Sequence, residues 1–128
     1  MFDSVRLFDV LKGLHLIREC DRAHNGDIRL MTLFEYPDGS NVDVFVEYDV
    51  ITRLISVTDH GNTLAYLCES GAEKSESLRV KEAIERESES GYVSHTNGVL
   101  SVVVGLGGET LPSAILRLCH ACVRIRAA

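Results

Sequence analysis

The chain has 128 residues, of which 45% are hydrophobic, 25% charged and 6% aromatic, and its 13 basic and 19 acidic side chains give a formal net charge of -6. This composition is typical of one globular domain and excludes collagenous, disordered and repeat-built chains. It also excludes a membrane-spanning helix, because the longest apolar stretches, near residues 99–106 and 111–118, are interrupted by Gly, Ser, Pro and Arg.

The first half of the chain predicts one helix followed by three strands. Apolar residues at three- and four-residue steps predict an amphipathic helix over residues 4–22. Residues 28–36 alternate loosely and end at Pro37, which opens a turn. Residues 42–48 alternate cleanly, and residues 52–58 are rich in β-formers. The short connections predict a three-stranded antiparallel meander.

The second half predicts helices around a hairpin. Turn residues 59–63 precede a short helix that reaches Cys68, and residues 74–90 predict a solvated helix. Residues 91–104 predict a hairpin around Asn-Gly, and Thr110 is the predicted cap of a long last helix. The apolar stripe of that helix is Leu111, Ile115, Leu118, Cys122 and Ile125. We therefore predict a single α+β domain over residues 1–128, in which N-terminal, middle and C-terminal helices cover an antiparallel sheet made of the meander and the hairpin.

The cysteines favour packing over chemistry. The start of the chain has acid where a secretory leader would have base, so we expect a cytoplasmic protein with reduced thiols. Cys119 and Cys122 are spaced as half of a zinc site, but the chain offers no second pair at that spacing. Because Cys122 also falls on the apolar stripe, we favour burial of both thiols in the core.

Glycine residues before the last helix do not predict a nucleotide site. Gly105, Gly107 and Gly108 lie between a strand and a helix, where backbone N–H groups can bind phosphate. The dinucleotide pattern requires a glycine where the chain has Thr110, and Glu109 would repel phosphate. We expect a flexible corner there.

No complete catalytic set emerges from the polar residues. Asp43, Glu47, Asp49 and Asp59 could surround a metal ion, but the lysine that accompanies such carboxylates in nucleases is missing. His60 is accompanied by no G-x-S-x-G nucleophile elbow. We therefore expect no catalytic residue, no metal site and no cofactor. A cryptic metal-dependent hydrolase or nuclease that uses Asp59, His60 and the nearby carboxylates stays open as an alternative.

Acidic residues concentrate in one predicted hairpin. Residues 35–49 contain five acids and no base. Phe45 shares an outward face with Asp43 and Glu47, a composition that suits binding to a basic protein surface. The alternative is that a helix of the chain covers this face, with Phe45 in a second core layer. The predicted partner-binding residues are Glu35, Asp38, Asp43, Phe45, Glu47 and Asp49. The acidic balance argues against nucleic acid and we expect no membrane partner.

The segment Thr58-Asp59-x-Gly61-x-Thr63-Leu64 resembles an uncharacterised bacterial and phage family of the domain-of-unknown-function 1828 type. The likeness extends from about Leu7 to Arg124 and implies the same order of helix, strands, hairpin and long final helix. Asp59, His60, Gly61 and Thr63 lie on the family motif. Many members have a second Asp where this chain has His60, so a role that needs paired carboxylates does not carry over. The family brings no established activity.

The resemblance implies that the protein is encoded by a phage or a mobile element. In that case we expect it to be located in the cytoplasm of the host cell. Small proteins of this kind often bind host machinery, including restriction and CRISPR systems. The leading hypothesis is therefore a non-enzymatic inhibitor that binds a host protein or protein complex through the acidic hairpin. A third hypothesis is a homodimeric regulatory domain that contacts its partner through the basic residues of the last helix, Arg117, Arg124 and Arg126.

Overall fold

Six strands and two helices make up the part of the chain that the computed structural model describes, namely residues 11, 14–22, 27–49, 51–63, 74–89, 93–96, 99–104 and 110–127. The strands are β1 (Ile17–Arg22), β2 (Ile28–Glu35), β3 (Asn41–Asp49), β4 (Leu54–Thr58), β5 (Ser94–Thr96) and β6 (Val99–Val103). The helices are α1 (Lys74–Glu89) and α2 (Leu111–Ala127). This is an α+β architecture, as predicted.

The six strands form one antiparallel sheet in the order β1-β2-β3-β4-β6-β5. Alternate residues point to opposite faces of a strand, and in β3 Val42, Val44 and Val46 are buried. The register pairs Val44 with Leu30 and Val46 with Val57. These residues share the face on which α2 packs, which we call the core face.

The opposite surface of the sheet, which we call the outer face, carries the residues that alternate with the core. Met31 pairs with Asp43, and Glu47 pairs with Ser56. Their side chains therefore point away from α2. Both described helices lie on the core side, because α2 contacts the sheet there and α1 packs against α2 and β5.

The helix predicted over residues 4–22 is wrong in its C-terminal part. Leu11 is helical and buried, a turn follows, and residues 17–22 form β1, which pairs with β2. Short apolar runs satisfy both helical and strand periodicity, so the pattern alone cannot assign them. The charged residues that surround Cys20 suit an exposed edge strand, which resists pairing with other chains. Residues 1–10 lie outside the described part.

The meander and the hairpin are not separate. Strand β1 adds a fourth strand to the predicted three, and β6 pairs with β4, so that one continuous sheet results. Strand β4 begins at Leu54, because residues 51–53 form a turn in which Asp49 Oδ1 accepts the backbone N–H groups of Ile51 and Thr52. The predicted short helix over residues 64–68, the Asn-Gly turn and the glycines at 105–108 lie outside the described residues.

Helix α2 confirms its predicted cap and stripe. Thr110 Oγ1 accepts the backbone N–H of Ser113 at 3.4 Å. The residues of the predicted stripe from Ile115 to Ile125 are fully buried. Of the helices that the structure describes, none has both the length and the apolar character of a membrane span.

The two cysteines of α2 belong to the core, as predicted. Cys119 and Cys122 are both 0% exposed. Burial disfavours the thiolate and raises the pKa of Cys119 to about 12, and it also raises the pKa of Cys122. Both thiols are therefore poor nucleophiles in the native chain.

We predict that iodoacetamide at pH 8 leaves Cys119 and Cys122 unmodified in the native protein and modifies both after unfolding in urea. Mass spectrometry of the peptide between Arg117 and Arg124 measures the extent of modification. Rapid modification in the native state would contradict the burial of these thiols.

Helices α1 and α2 are joined by an ion pair with two hydrogen bonds. Arg124 donates from Nε to Glu87 Oε1 at 2.7 Å and from NH2 to Glu87 Oε2 at 2.9 Å. These hydrogen bonds lower the pKa of Glu87 below its ordinary value of 4.5. The pair therefore stabilises the fold at pH values above the ordinary pKa of a glutamate side chain. This contribution to the free energy of unfolding disappears as the pH falls through the lowered pKa of Glu87.

We predict that Glu87→Gln lowers the free energy of unfolding at pH 7 by up to about 1 kcal/mol, a value typical of partly exposed pairs. The difference between variant and parent should vanish as the pH falls below the folded-state pKa, as measured by urea unfolding at a series of pH values. Glu85→Gln, on the exposed side of α1, is the control and should change stability little at any pH. A Glu87→Gln effect independent of pH would refute the assignment.

Candidate functional site

The turn after β4 is organised by the buried carboxylate of Asp59, which is 0% exposed. Its Oδ1 accepts the backbone N–H groups of Gly61 at 2.8 Å and Leu100 at 2.9 Å, and its Oδ2 accepts that of Thr63 at 3.2 Å. The Asp59 backbone N–H donates to the Leu100 carbonyl at 3.1 Å. Asp59 therefore fastens the turn to β6, beyond the last pair of the β4–β6 ladder.

Two residues of this turn adopt left-handed backbone conformations. His60 has a φ of 52° and Gly61 a φ of 78°. The left-handed conformation of His60 is stabilised because its backbone N–H donates a hydrogen bond to Thr58 Oγ1 at 3.1 Å. Glycine at position 61 has no side chain to oppose the left-handed conformation. The spacing of the Thr-Asp-x-Gly motif is thus explained by the geometry of a turn.

Thr63 of the motif connects the turn to the core. Thr63 is fully buried, and its hydroxyl lies 2.9 Å from the hydroxyl of Tyr36. Burial raises the pKa of Tyr36, so this phenol stays neutral. The guanidinium of Arg126 lies 5.0 Å from the centre of the Tyr36 ring. Motif and final helix therefore meet through Tyr36.

His60 points the other way, onto the outer face. Its ring stacks on Phe45 with centroids 3.9 Å apart and an interplanar angle of 8°. Its Nε2 lies 2.7 Å from Glu47 Oε1 and 3.5 Å from Asp27 Oδ2. The flat stack fixes the plane of the imidazole, and the two carboxylates fix the direction of Nε2.

These three side chains are a cluster with the donor types of a metal site. In the part of the chain that the structure describes, Asp27, Glu47 and His60 form a group whose ligand atoms all lie within 4.8 Å of one another. Asp59, a residue of the hydrolase alternative, is outside this group because its carboxylate accepts hydrogen bonds from backbone N–H groups. Asp27 belongs to none of the sequence motifs and was not predicted as a ligand. It directly precedes Ile28, whose pairing with Val46 places Asp27 beside Glu47.

The predicted partner-binding residues share the outer face with one exception. Asp38 lies in the β2–β3 turn, where it accepts the N–H and hydroxyl of Ser40. Alternation places the others along one side of the sheet: Glu35, Asp43, Phe45, Glu47 and Asp49. Phe45 lies beneath His60. The second core layer of the alternative interpretation is therefore not formed by α1 or α2.

The acidic surface extends further than the hairpin. Strand β1 brings Glu19 opposite Met31 and Asp21 opposite Arg29. Arg29 donates to Asp43 Oδ2 at 2.7 Å and to Asp21 Oδ2 at 3.1 Å, which shows that β1 and β3 carboxylates lie on one face. We name this surface the acidic face; its carboxylates are Glu19, Asp21, Glu35, Asp43, Glu47 and Asp49.

The basic residues of α2 make contacts within the chain. Arg124 pairs with Glu87, and Arg126 stacks on Tyr36. Arg117 is half-buried. Two of the three arginines through which the homodimer hypothesis binds a partner, Arg124 and Arg126, therefore already contact residues of the same chain.

We predict that Asp59→Asn lowers the free energy of unfolding by about 2 to 4 kcal/mol, as measured by urea unfolding. An amide in either orientation directs its NH₂ group at a backbone N–H donor, which leaves buried donors unpaired. The matched control is Asp49→Asn, because Asp49 accepts its two turn N–H groups through one exposed oxygen. The control should lose no more than about 0.5 kcal/mol. Equal losses in the two variants would contradict the role of Asp59.

Comparisons with known proteins place the chain without assigning an activity. No curated protein matches it, and no solved structure matches it. A family model described as "Domain of unknown function DUF1828" matches residues 32–125, which include the Asp59 turn and most of α2. The chain belongs to this family, as its motif suggests.

Proposed function

We propose that this protein is a non-enzymatic interaction protein whose acidic face binds a basic surface on another protein. The observation that carries the proposal is the collection of six carboxylates on one face of the sheet, remote from both described helices. Complementary charge of this kind accelerates encounter and selects partners. The class of partner that we propose is a host defence complex, such as a restriction nuclease or a CRISPR surveillance complex with a basic surface.

An ion-pair network fixes the positions of two carboxylates on the acidic face. Arg29 bridges Asp21 and Asp43, and the hydrogen bond from Arg29 to Asp43 contributes to raising the pKa of the guanidinium. The carboxylates of Asp21 on β1 and Asp43 on β3 are therefore held at a defined spacing on either side of β2. Such preorganisation lowers the entropy that binding must remove.

Apolar side chains accompany the charges. Leu33 is 57% exposed and alternates with the buried Thr32, so it lies toward the outer face of β2. Leu54 is 38% exposed and pairs with Asp49 at the far end of β3. Stable interfaces combine apolar contact with a polar rim, and these two residues supply such contacts near the carboxylates.

The hydrolase alternative is less well supported by the geometry. It depends on Asp59, whose carboxylate is buried and accepts three backbone N–H groups. A general base must reach the substrate directly or through one water molecule. His60 remains accessible, but among the described residues no serine or lysine is hydrogen-bonded to it.

We predict that the double variant Glu19→Lys/Glu35→Lys weakens binding to the partner at least tenfold, on the order of what reversed charges at an interface produce. Both residues are exposed and lie on the acidic face, so the change leaves the core intact. The partner is captured from host lysate with the tagged chain and identified by mass spectrometry, and biolayer interferometry gives the dissociation constants. The association rate with the parent chain should fall as salt rises.

The matched control is Glu85→Lys/Glu89→Lys, which changes net charge equally on the exposed side of α1. It should bind within about threefold of the parent, since α1 lies across the core from the acidic face. Equal loss in the two double variants, or no loss in either, would overturn the assignment of the acidic face. Asp43 is unsuited to this test because its reversal would break the pair with Arg29.

A further inference from the structure

We propose that Asp27, Glu47 and His60 form a binding site for a divalent transition-metal ion of the zinc class. The three residues come from separate elements: Asp27 precedes β2, Glu47 lies within β3, and His60 lies in the turn after β4. Folding alone brings one imidazole nitrogen and two carboxylate oxygens together, within 4.8 Å of one another. This proposal revises the expectation, made from the sequence, that the chain holds no metal.

The donor set selects the type of ion. Imidazole nitrogen binds Zn²⁺ and related ions, whereas Ca²⁺ and Mg²⁺ prefer oxygen alone. Two carboxylates neutralise the charge of a divalent ion, which makes a mixed set of one nitrogen and two oxygens suitable for Zn²⁺ or Mn²⁺. Three protein ligands leave a fourth tetrahedral position for water or for a group on a partner.

The distances fit a site that closes with little movement. Bond lengths of about 2.1 Å imply about 3.4 Å between neighbouring ligand atoms in a tetrahedral zinc site. His60 Nε2 lies 3.5 Å from Asp27 Oδ2, which already meets this spacing. Its distance to Glu47 Oε1 is 2.7 Å, a hydrogen bond that the ion would replace by opening the pair slightly.

The cluster is both supported and accessible. Phe45 stacks flat on the imidazole and holds its plane. The side chains of Asp27, His60 and Glu47 are 15%, 30% and 42% exposed. The cluster is therefore partly buried at Asp27 and open to solvent at Glu47. An ion can therefore enter from solution and bind to ligands whose orientation the fold has already fixed.

The test is titration of the purified, metal-free chain with Zn²⁺ by calorimetry and with Mn²⁺ by the loss of its free EPR signal. We expect one ion per chain from either titration. Mn²⁺ matters because thiolate sites take Zn²⁺ but not this harder ion, which separates the proposed site from the cysteines. The position of the ion follows from anomalous scattering in crystals grown with Zn²⁺.

His60→Asn and Glu47→Gln should each weaken binding at least tenfold, on the order of what loss of a supporting contact alone produces in metal sites. Asparagine tolerates the left-handed backbone at position 60, and Glu47 is exposed enough that the amide leaves the fold intact. Glu19→Gln, on the same face, is the control and should bind as the parent does. Urea unfolding verifies that each variant is folded.

The proposal is overturned if neither ion binds at millimolar concentration, or if binding persists unchanged in His60→Asn and Glu47→Gln. It is also overturned if the anomalous peak lies at a cysteine. These measurements use no partner, and the charge reversals at Glu19 and Glu35 use no metal. Failure of the metal site and failure of the acidic face can thus be told apart.

Discussion

The fold depends on one buried carboxylate. Asp59 has no exposed surface, and an unpaired charge in that position would cost several kcal/mol. Three backbone N–H groups satisfy it, and hydrogen bonds to a charged group contribute about 1.5 to 3 kcal/mol each. Since the N–H of Leu100 is one of the three, the same carboxylate that shapes a local turn also positions β6 beside β4. A single side chain therefore links local chain direction to the order of strands in the sheet.

The turn that Asp59 holds has two sides with different roles. Toward the core, Thr63 meets Tyr36 and, through it, the end of α2. Toward the outer face, His60 rests on Phe45 and reaches Glu47. Asp59, Gly61 and Thr63 thus serve the fold, while the side chain of His60 lies on the outer face. Histidine there places a hydrogen-bonding nitrogen beside two carboxylates, where an aspartate would add a third like charge.

Sequence patterns predict the parts of this structure that depend on near neighbours. The alternation over β3, the stripe of α2 and the cap at Thr110 all follow from local periodicity and capping chemistry. The local pattern of β1 predicts a helix, whereas its pairing with β2, which no local pattern contains, makes it a strand. The same reason explains the cluster at His60: Asp27 precedes His60 by 33 positions, and the pairing of β2 and β4 with opposite sides of β3 brings the two residues together.

The bond between Asp59 and Leu100 spans 41 positions of sequence, and this separation constrains the order of folding. Until β6 has been synthesised, Asp59 lacks one of its donors and the sheet ends at β4. The strands β1 to β4 can pair early, because each neighbours the next along the chain. Because contacts distant in sequence form slowly, we expect closure of the long loop from β4 to β6 to follow the pairing of β1 to β4. A ribosome-bound chain that stops short of position 100 therefore presents β4 as an unpaired edge, open to association with other nascent chains.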